Sequence, residues 1–389
     1  MKLLKRVVLV PLAVLAVFGL TAGVSLAAVT GDCVNCHTMH NSQNGTSVAV
    51  AAGGVTTAQV NLLNADCLGC HTNANGNETI IMLGNGNKSK VPIVLTAAAP
   101  TYPPNGSTSS VLAGGNFYWV AAGDDTKGHN VYGLRGNTEA ANRDSFLSAA
   151  PGSQFVPTGL CRDCHGTLAS ESSGCKACHF AAHHVENGNN AADGAVTRGG
   201  DGWYRFLSGA QMVVARDPGT AQRNALLLLL DGVVGVEDSN WEQNPASHNV
   251  YKGAQGQTSA GLGSISGNSI GMYCTGCHSN FHHPAADTGL TGLTNASGAW
   301  VRHPSDVVLP GAGTEYGKYS YTALAPVAYE TISAAGVGST QLVTCISCHR
   351  PHGSPYPDML RWDYDTCQTN IENTDCGCFA CHTAKDGVE

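Results

Sequence analysis

Seven times in this chain the order Cys-x-x-Cys-His recurs: Cys33/Cys36/His37, Cys67/Cys70/His71, Cys161/Cys164/His165, Cys175/Cys178/His179, Cys274/Cys277/His278, Cys345/Cys348/His349 and Cys378/Cys381/His382. With 16 Cys and 16 His among 389 residues, shuffling the composition would give roughly 0.03 such pentads. A single Cys-x-x-Cys could mark a zinc site or a redox dithiol, but histidine directly after the second cysteine, seven times over, fits neither. It is the attachment signal of c-type haem, in which both thiols add to the porphyrin vinyl groups and the adjacent imidazole lies under the iron. The spacing predicts seven haem c groups, with these fourteen cysteines as covalent anchors and these seven histidines as proximal iron ligands.

The rest of the composition agrees with a chain that wraps something. Only 12% of residues are charged and Gly supplies 48 positions, whereas soluble domains carry about twice that share of charge. Segments such as 41–58 and 101–116 hold Gly, Asn, Ser, Thr and Pro without a sustained apolar period and read as loop. Short strands are expected at "VPIVL" (91–95), "NFYWV" (116–120) and "ALLLLL" (225–230), the last an ordinary buried segment too short to span a membrane. Each haem motif is expected on one or two helical turns. The predicted fold class has few secondary structures: mostly coil, short helices and minor strands around the haems. No break divides residues 28–389, which are read as one multihaem domain. Seven porphyrins would supply most of the apolar interior, so the haem-free chain is expected to be largely unfolded.

The N-terminus predicts export. Lys2, Lys5 and Arg6, an apolar run from Val7 and the small residues around Ala27 have the layout of a signal peptide over residues 1–27. A retained anchor is the other reading, but the Ser25-Leu26-Ala27 box speaks for cleavage. Membrane contact would then end with cleavage. Cys33 is not a lipoprotein cysteine, because Asp32 stands where a small residue is needed. Losing those three basic residues takes the formal charge of −8 to −11, and propionates would add more, which argues against a nucleic-acid partner. Cys367 and Cys376 lie outside the seven motifs. In an oxidising compartment they read as a disulfide; Cys376 with Cys381 as a rarer C-x4-C-H attachment, or a bridge to another chain, are the alternatives.

Nine histidines remain as distal ligands: His40, His129, His183, His184, His248, His282, His283, His303 and His352. One from each adjacent pair, 183/184 and 282/283, leaves seven for seven irons. Met39, Met82, Met212, Met272 and Met359 are the alternative sixth ligands. On a helical turn His37 and His40 share a face, so His40 cannot reach the far side of the iron that His37 holds. It is expected to serve another haem, and the same reasoning is applied to His352 after His349. Bis-histidine ligation would keep potentials below those of His/Met cytochromes and leave no open coordination site.

The segments "CVNCHTMHNS" (33–42), "KGHNV" (127–131), "CTGCHSNFHH" (274–283), "VRHP" (301–304) and "CISCHRPHGS" (345–354), with a haem motif close to the C-terminus, resemble the extracellular multihaem cytochrome nanowires of metal-reducing bacteria. That family is hexahaem, mostly coil, and wraps a chain of alternately parallel and perpendicular haems. The resemblance implies that His40 binds the iron held by Cys345, Cys348 and His349 in the next copy, making a homopolymeric filament. A seventh motif, with Cys161–His165 and Cys175–His179 crowded where the family has one site, and the Cys367/Cys376 pair are departures.

The expected function is an extracellular or cell-surface electron conduit, exchanging electrons with donor and acceptor proteins or extracellular acceptors. A soluble periplasmic electron carrier is the alternative. A multihaem reductase is a second alternative, but it would need an iron with an open position, and the supply of histidines argues against an enzyme.

Overall fold

The structure is a computed structural model that describes residues 37–38, 42–43, 46–47, 67–83, 89–101, 112–131, 134, 174–179, 204–207, 213–216, 223–227, 233–236, 238, 241–254, 269–275, 278, 303, 305–333 and 336–385. The signal-peptide segment 1–27, Cys33, Cys36, His40, Cys161, Cys164, His165, His183, His184, Cys277, His282 and His283 lie outside them.

Regular structure is short and scattered. The described helices are α1 (Cys67–His71), α2 (Tyr118–Ala121), α3 (Ile270–Thr275), α4 (Cys345–Cys348) and α5 (Gly377–Cys381), with a 3₁₀ turn at Gly174–Ala177. All but α2 carry a haem-motif cysteine, and α1 carries both of its pair, Cys67 and Cys70. The strands pair as small ladders, the largest an antiparallel sheet in which Gln341–Val343 lies between Val307–Val308 and Ala328–Tyr329.

The spacing of the motif explains its helices. Cysteines three apart on a helical turn share a face, and the residue after the first one points elsewhere. That residue is Leu68 in α1, Ile346 in α4 and Phe379 in α5, and all three are buried. Each belongs to a different apolar cluster: Leu68 with Leu95, Phe117 and Val120; Ile346 with Tyr204, Tyr251 and Ile270; Phe379 with Leu324, Trp362 and Cys376. The helices are thus anchored by one apolar side chain while their thiols stay half-buried on the other face. Cys367 and Cys376 form a disulfide within the third cluster. Closing so short a loop limits the unfolded chain by about 3 kcal/mol on the loop-entropy scale.

Two expected strands come out differently. Residues 116–120 open α2, because Asn116 Oδ1 accepts from the Tyr118 amide at 2.9 Å and turns the aromatic run into a helix. Ser89–Pro92 pairs with Ile80–Leu83, but the chain leaves that ladder at Ile93 and re-enters at Leu95–Thr96, parallel to Thr72–Asn73. The apolar run at 225–230 is strand as far as Leu227, paired with Val213–Arg216, and its remainder lies outside the described residues.

A buried ion cluster ties these pieces together. Glu242, with no exposed surface, accepts from Arg350 Nη1 at 2.7 Å and from Arg361 Nη1 at 3.1 Å. Arg350 also donates to Leu112 O, and Arg361 to Ile346 O, Ala323 O and Ala113 O. One carboxylate and two guanidiniums therefore hold five separate backbone segments, one of which carries the His349 motif. Burial alone would raise the Glu242 pKa, but Arg361 and Arg350 outweigh it and hold the carboxyl below its usual range. The cluster's contribution is thus present at neutral pH and lost only as pH falls below the ordinary carboxylate range, through the depressed pKa. Glu242→Ala, which strands two buried cations, is expected to cost about 3–5 kcal/mol, against about 1 kcal/mol for Tyr251→Phe, which removes only a phenol from Glu242. Denaturant midpoints of the holoproteins at neutral pH check the ranking.

Candidate haem-binding sites

The expected covalent anchors that the structure describes are thiols. Cys67 and Cys70 of the second motif, Cys175 and Cys178 of the fourth, Cys274 of the fifth, Cys345 and Cys348 of the sixth and Cys378 and Cys381 of the seventh are all half-buried and joined in no disulfide. Cys67 and Cys70 stand three apart in α1. Haem attachment consumes the S–H group of each anchor, so a reduced pair is the form that the reaction needs.

A carbonyl oxygen can only accept a hydrogen bond, so an imidazole Nδ1 bonded to one must carry the proton and leaves Nε2 with a lone pair for a metal. This arrangement recurs. Nδ1 of His71 donates to Pro92 O at 2.6 Å, that of His179 to Arg205 O at 2.8 Å and that of His349 to Asp358 O at 2.8 Å. Among the expected distal ligands, His129 donates to Pro351 O at 2.7 Å and His248 to Asn249 O at 2.8 Å. His382 faces a carboxylate instead, Glu315 Oε1 at 3.3 Å.

The same backbone device presents two of those carbonyls. Arg205 and Asp358 are non-glycine residues in the left-handed region, with φ of 50° and 56°. Two residues on, Leu207 and Leu360 form antiparallel bridges with His179 and His349. Left-handed residues are costly and persist where their surroundings hold them. Here each sits where its carbonyl meets the histidine of a haem motif.

Three histidine pairs test the fit to haem. Two imidazoles on opposite sides of one iron, each bonded at about 2 Å, have ring centres roughly 6 Å apart. The rings of His129 and His278 lie 6.1 Å apart, those of His179 and His352 5.9 Å, and those of His303 and His382 6.3 Å. Each pair joins one motif histidine to one histidine from the expected distal set, so the residues present fit the group. Burial lowers the pKa of His71, His179 and His248, and burial with His179, His129 and His71 nearby pushes His352 down to about 3. These rings are neutral at physiological pH, the form that binds metal.

His352 reaches His179 by a route other than the expected helical turn. The helix of its motif ends at Cys348, and His349 is already extended (φ −116°, ψ 151°). Pro351 disfavours helix at Arg350, so His349 and His352 do not share a helical face. Gly115 and Gly353, both with positive φ, then cross backbone to backbone. A side chain at Gly115 would collide with Gly353 O. That close crossing sets the His352 ring on Phe117, centroids 4.6 Å apart, and beside His179.

The cysteines of the later motifs stand side by side. Tyr273 donates to Cys178 O at 2.9 Å. A hydrogen bond with Cys345, then burial, with Cys178 also close, raises the Cys274 thiol pKa. Burial, with Cys378 and Cys381 near, pushes Cys348 up to about 12. Motifs four, five, six and seven are therefore neighbours in that order.

Residues 338–387 match the family model described as a doubled CXXCH motif. Over 375 residues, 85% of this chain and 78% of the relative, the sequence is 25% identical to the C-type cytochrome OmcS of Geobacter sulfurreducens. The chain is thus similar to a multihaem c-type cytochrome over most of its length. Two solved structures from that organism are also similar: an outer membrane cytochrome S filament (TM-score 0.44, 19% identity, covering 88% of this chain and 86% of that one) and OmcS nanowires (TM-score 0.37, 19% identity, covering 92% and 95%).

In this chain the motif cysteines and histidines were visible in the sequence, and the supporting groups were not. The carbonyls of Pro92, Arg205, Pro351, Asn249 and Asp358 carry no side-chain signature, and Glu315 stands far along the chain from His382. Only "PYPDML", a proline-flanked turn after the sixth motif, hinted at such support. Asp358→Val is expected to destabilise the holoprotein by about 1–2 kcal/mol, because a β-branched residue resists positive φ, and Asp358→Gly to leave it nearly unchanged. Thermal melts with the low-spin absorption of the haems as the probe separate the two.

Proposed function

We propose that this cytochrome is an extracellular electron conduit that holds seven haem c groups, each between two histidines, and polymerises through His40. The carrying observation is the set of three imidazole pairs at haem spacing, with Nδ1 of His129, His179 and His382 tied to an oxygen. In this reading His129 is the distal ligand for the Cys274/Cys277/His278 site, His352 for Cys175/Cys178/His179 and His303 for Cys378/Cys381/His382. His40, His248 and one member each of 183/184 and 282/283 serve the rest. Haem c supplies a one-electron couple at each site. The protein's part is to hold the imidazoles aimed, to leave no open position where a substrate could bind, and to keep consecutive sites close enough for tunnelling, whose rate falls steeply with distance. Absence of an open position is what makes this electron transfer rather than catalysis.

Polymerisation is supported by the relative: OmcS is described in its solved structures as a filament and as nanowires. The "CHTMH" segment that would make the joint is present at 36–40. Secretion, redox partner proteins and extracellular acceptors follow as parts of the same proposal.

Two substitutions test it at different levels. His303→Ala should convert one haem of seven to a high-spin or water-ligated form in the electron paramagnetic spectrum, with haem content unchanged; a fully low-spin variant would remove His303 as a ligand. His40→Ala should keep its haems and lose filaments under the electron microscope. Filaments of normal length from that variant would leave the soluble carrier as the better reading.

A further inference from the structure

Around the seventh motif the structure gathers three sulfurs where the chemistry needs one. Sγ of Cys367, Cys376 and Cys378 all lie within 4.8 Å of one another, with Cys367 and Cys376 joined as a disulfide. Cys376 stands at the N-cap of α5 and is buried, and Cys378 is in the first turn. Cys376 is also the first cysteine of an overlapping C-x4-C-H register, Cys376-x4-Cys381-His382. A vinyl group brought to Cys378 would therefore meet a second cysteine sulfur close by.

We propose that the Cys367–Cys376 disulfide is a register guard: it withholds Cys376 and Cys367 from haem attachment, so that only Cys378 and Cys381 react. This rests on the reading of Cys378/Cys381/His382 as a haem site. In the attachment step the cysteine S–H adds across the vinyl double bond. The S–H bond breaks, an S–C bond forms, the hydrogen goes to the other vinyl carbon, and no net oxidation occurs. A disulfide sulfur has no S–H to add and is silent in that reaction. The apolar packing of Trp362, Phe379, Leu324 and Cys376 holds the sulfurs together, and Gly377 lets the Trp362 ring lie against the start of α5, where any side chain would strike it. The inference requires the disulfide to close before the seventh haem is attached.

Holoprotein from a host with c-type haem maturation machinery tests this by peptide mapping. Trypsin cuts after Arg361 and Lys385, so one peptide, 362–385, carries all four cysteines. In the wild type it should carry one haem on Cys378 and Cys381 with the disulfide intact; a wild-type peptide without haem would overturn the site assignment itself. Cys367→Ser should at least halve the share of peptide with that attachment, with haem appearing on Cys376. The double variant Cys367→Ser/Cys376→Ser has no disulfide and no competing thiol, and should return the correct attachment to the wild-type share. If the disulfide served stability alone, the double variant would be as poor as the single one, and that result, or an unaffected single variant, overturns the guard.

Discussion

The hydrogen bond from an imidazole Nδ1 to a fixed oxygen is the interaction on which the rest of this structure turns. It selects one tautomer, fixes the ring plane and leaves Nε2 as the free lone pair. Five of the described histidines obtain it from a backbone carbonyl, which can be aimed only by shaping the chain. Much of the irregular backbone is thereby accounted for: left-handed Arg205 and Asp358 turn a carbonyl toward a motif histidine, and a following leucine bridges back to that histidine. A long helix would satisfy its own carbonyls and have none to offer.

Such a chain cannot rely on one large core. Among the described residues there are three small apolar clusters, with Leu68, Ile346 and Phe379 of haem motifs placed one in each. Burying an apolar side chain of that size contributes about 2 kcal/mol, enough to fix a helical turn but not to fold several hundred residues. The Glu242–Arg350–Arg361 cluster acts differently. Ion pairs removed from water contribute little net stability, but they penalise any arrangement that separates them. The two arginines also donate to carbonyls of segments 112–113, 323 and 346, so the cluster specifies which loops meet near the sixth motif.

The legibility of the sequence divides along the same line. A covalent chemistry that demands Cys, Cys and His at fixed spacing left its pattern in plain view, and the helical turns followed because thiols three apart, as Cys67 and Cys70 are, need a shared face. The pairing of His129 with His278 and of His303 with His382 was not readable, since isolated histidines in long gaps carry no record of which site they approach. At 116–120 the aromatic and β-branched run points to a strand, but the Asn116 side chain, which accepts from the Tyr118 amide just ahead of the helix, turns the chain into α2. At 349–352 the helical-face argument ignored Pro351, the one residue in that segment that forbids the turn. The conclusion drawn from it, that His352 serves a different site from His349, keeps its support for another reason: the ring stands beside His179.

That crossing carries a consequence for how the protein folds. In the proposed ligation His129 meets His278, His352 meets His179 and His303 meets His382, so each iron joins segments that are distant in sequence. A cross-link of that kind stabilises by restricting the unfolded chain, as a disulfide does, and the restriction grows with the loop it closes. The metal-binding free energy then becomes part of the folding free energy. A glycine-rich, charge-poor chain can therefore be ordered once its haems are attached. It also follows that sites adjacent in space need not share a local fold, because the shared ligand histidines, rather than a continuous core, hold one site against the next. His352 shows this economy most plainly: one residue past Pro351, whose carbonyl accepts from His129, its ring stands beside His179 of the fourth motif while His349 belongs to the sixth. In the proposed ligation three sites are coupled through these four consecutive residues, and shifting that segment by one position would misplace ligands at all of them.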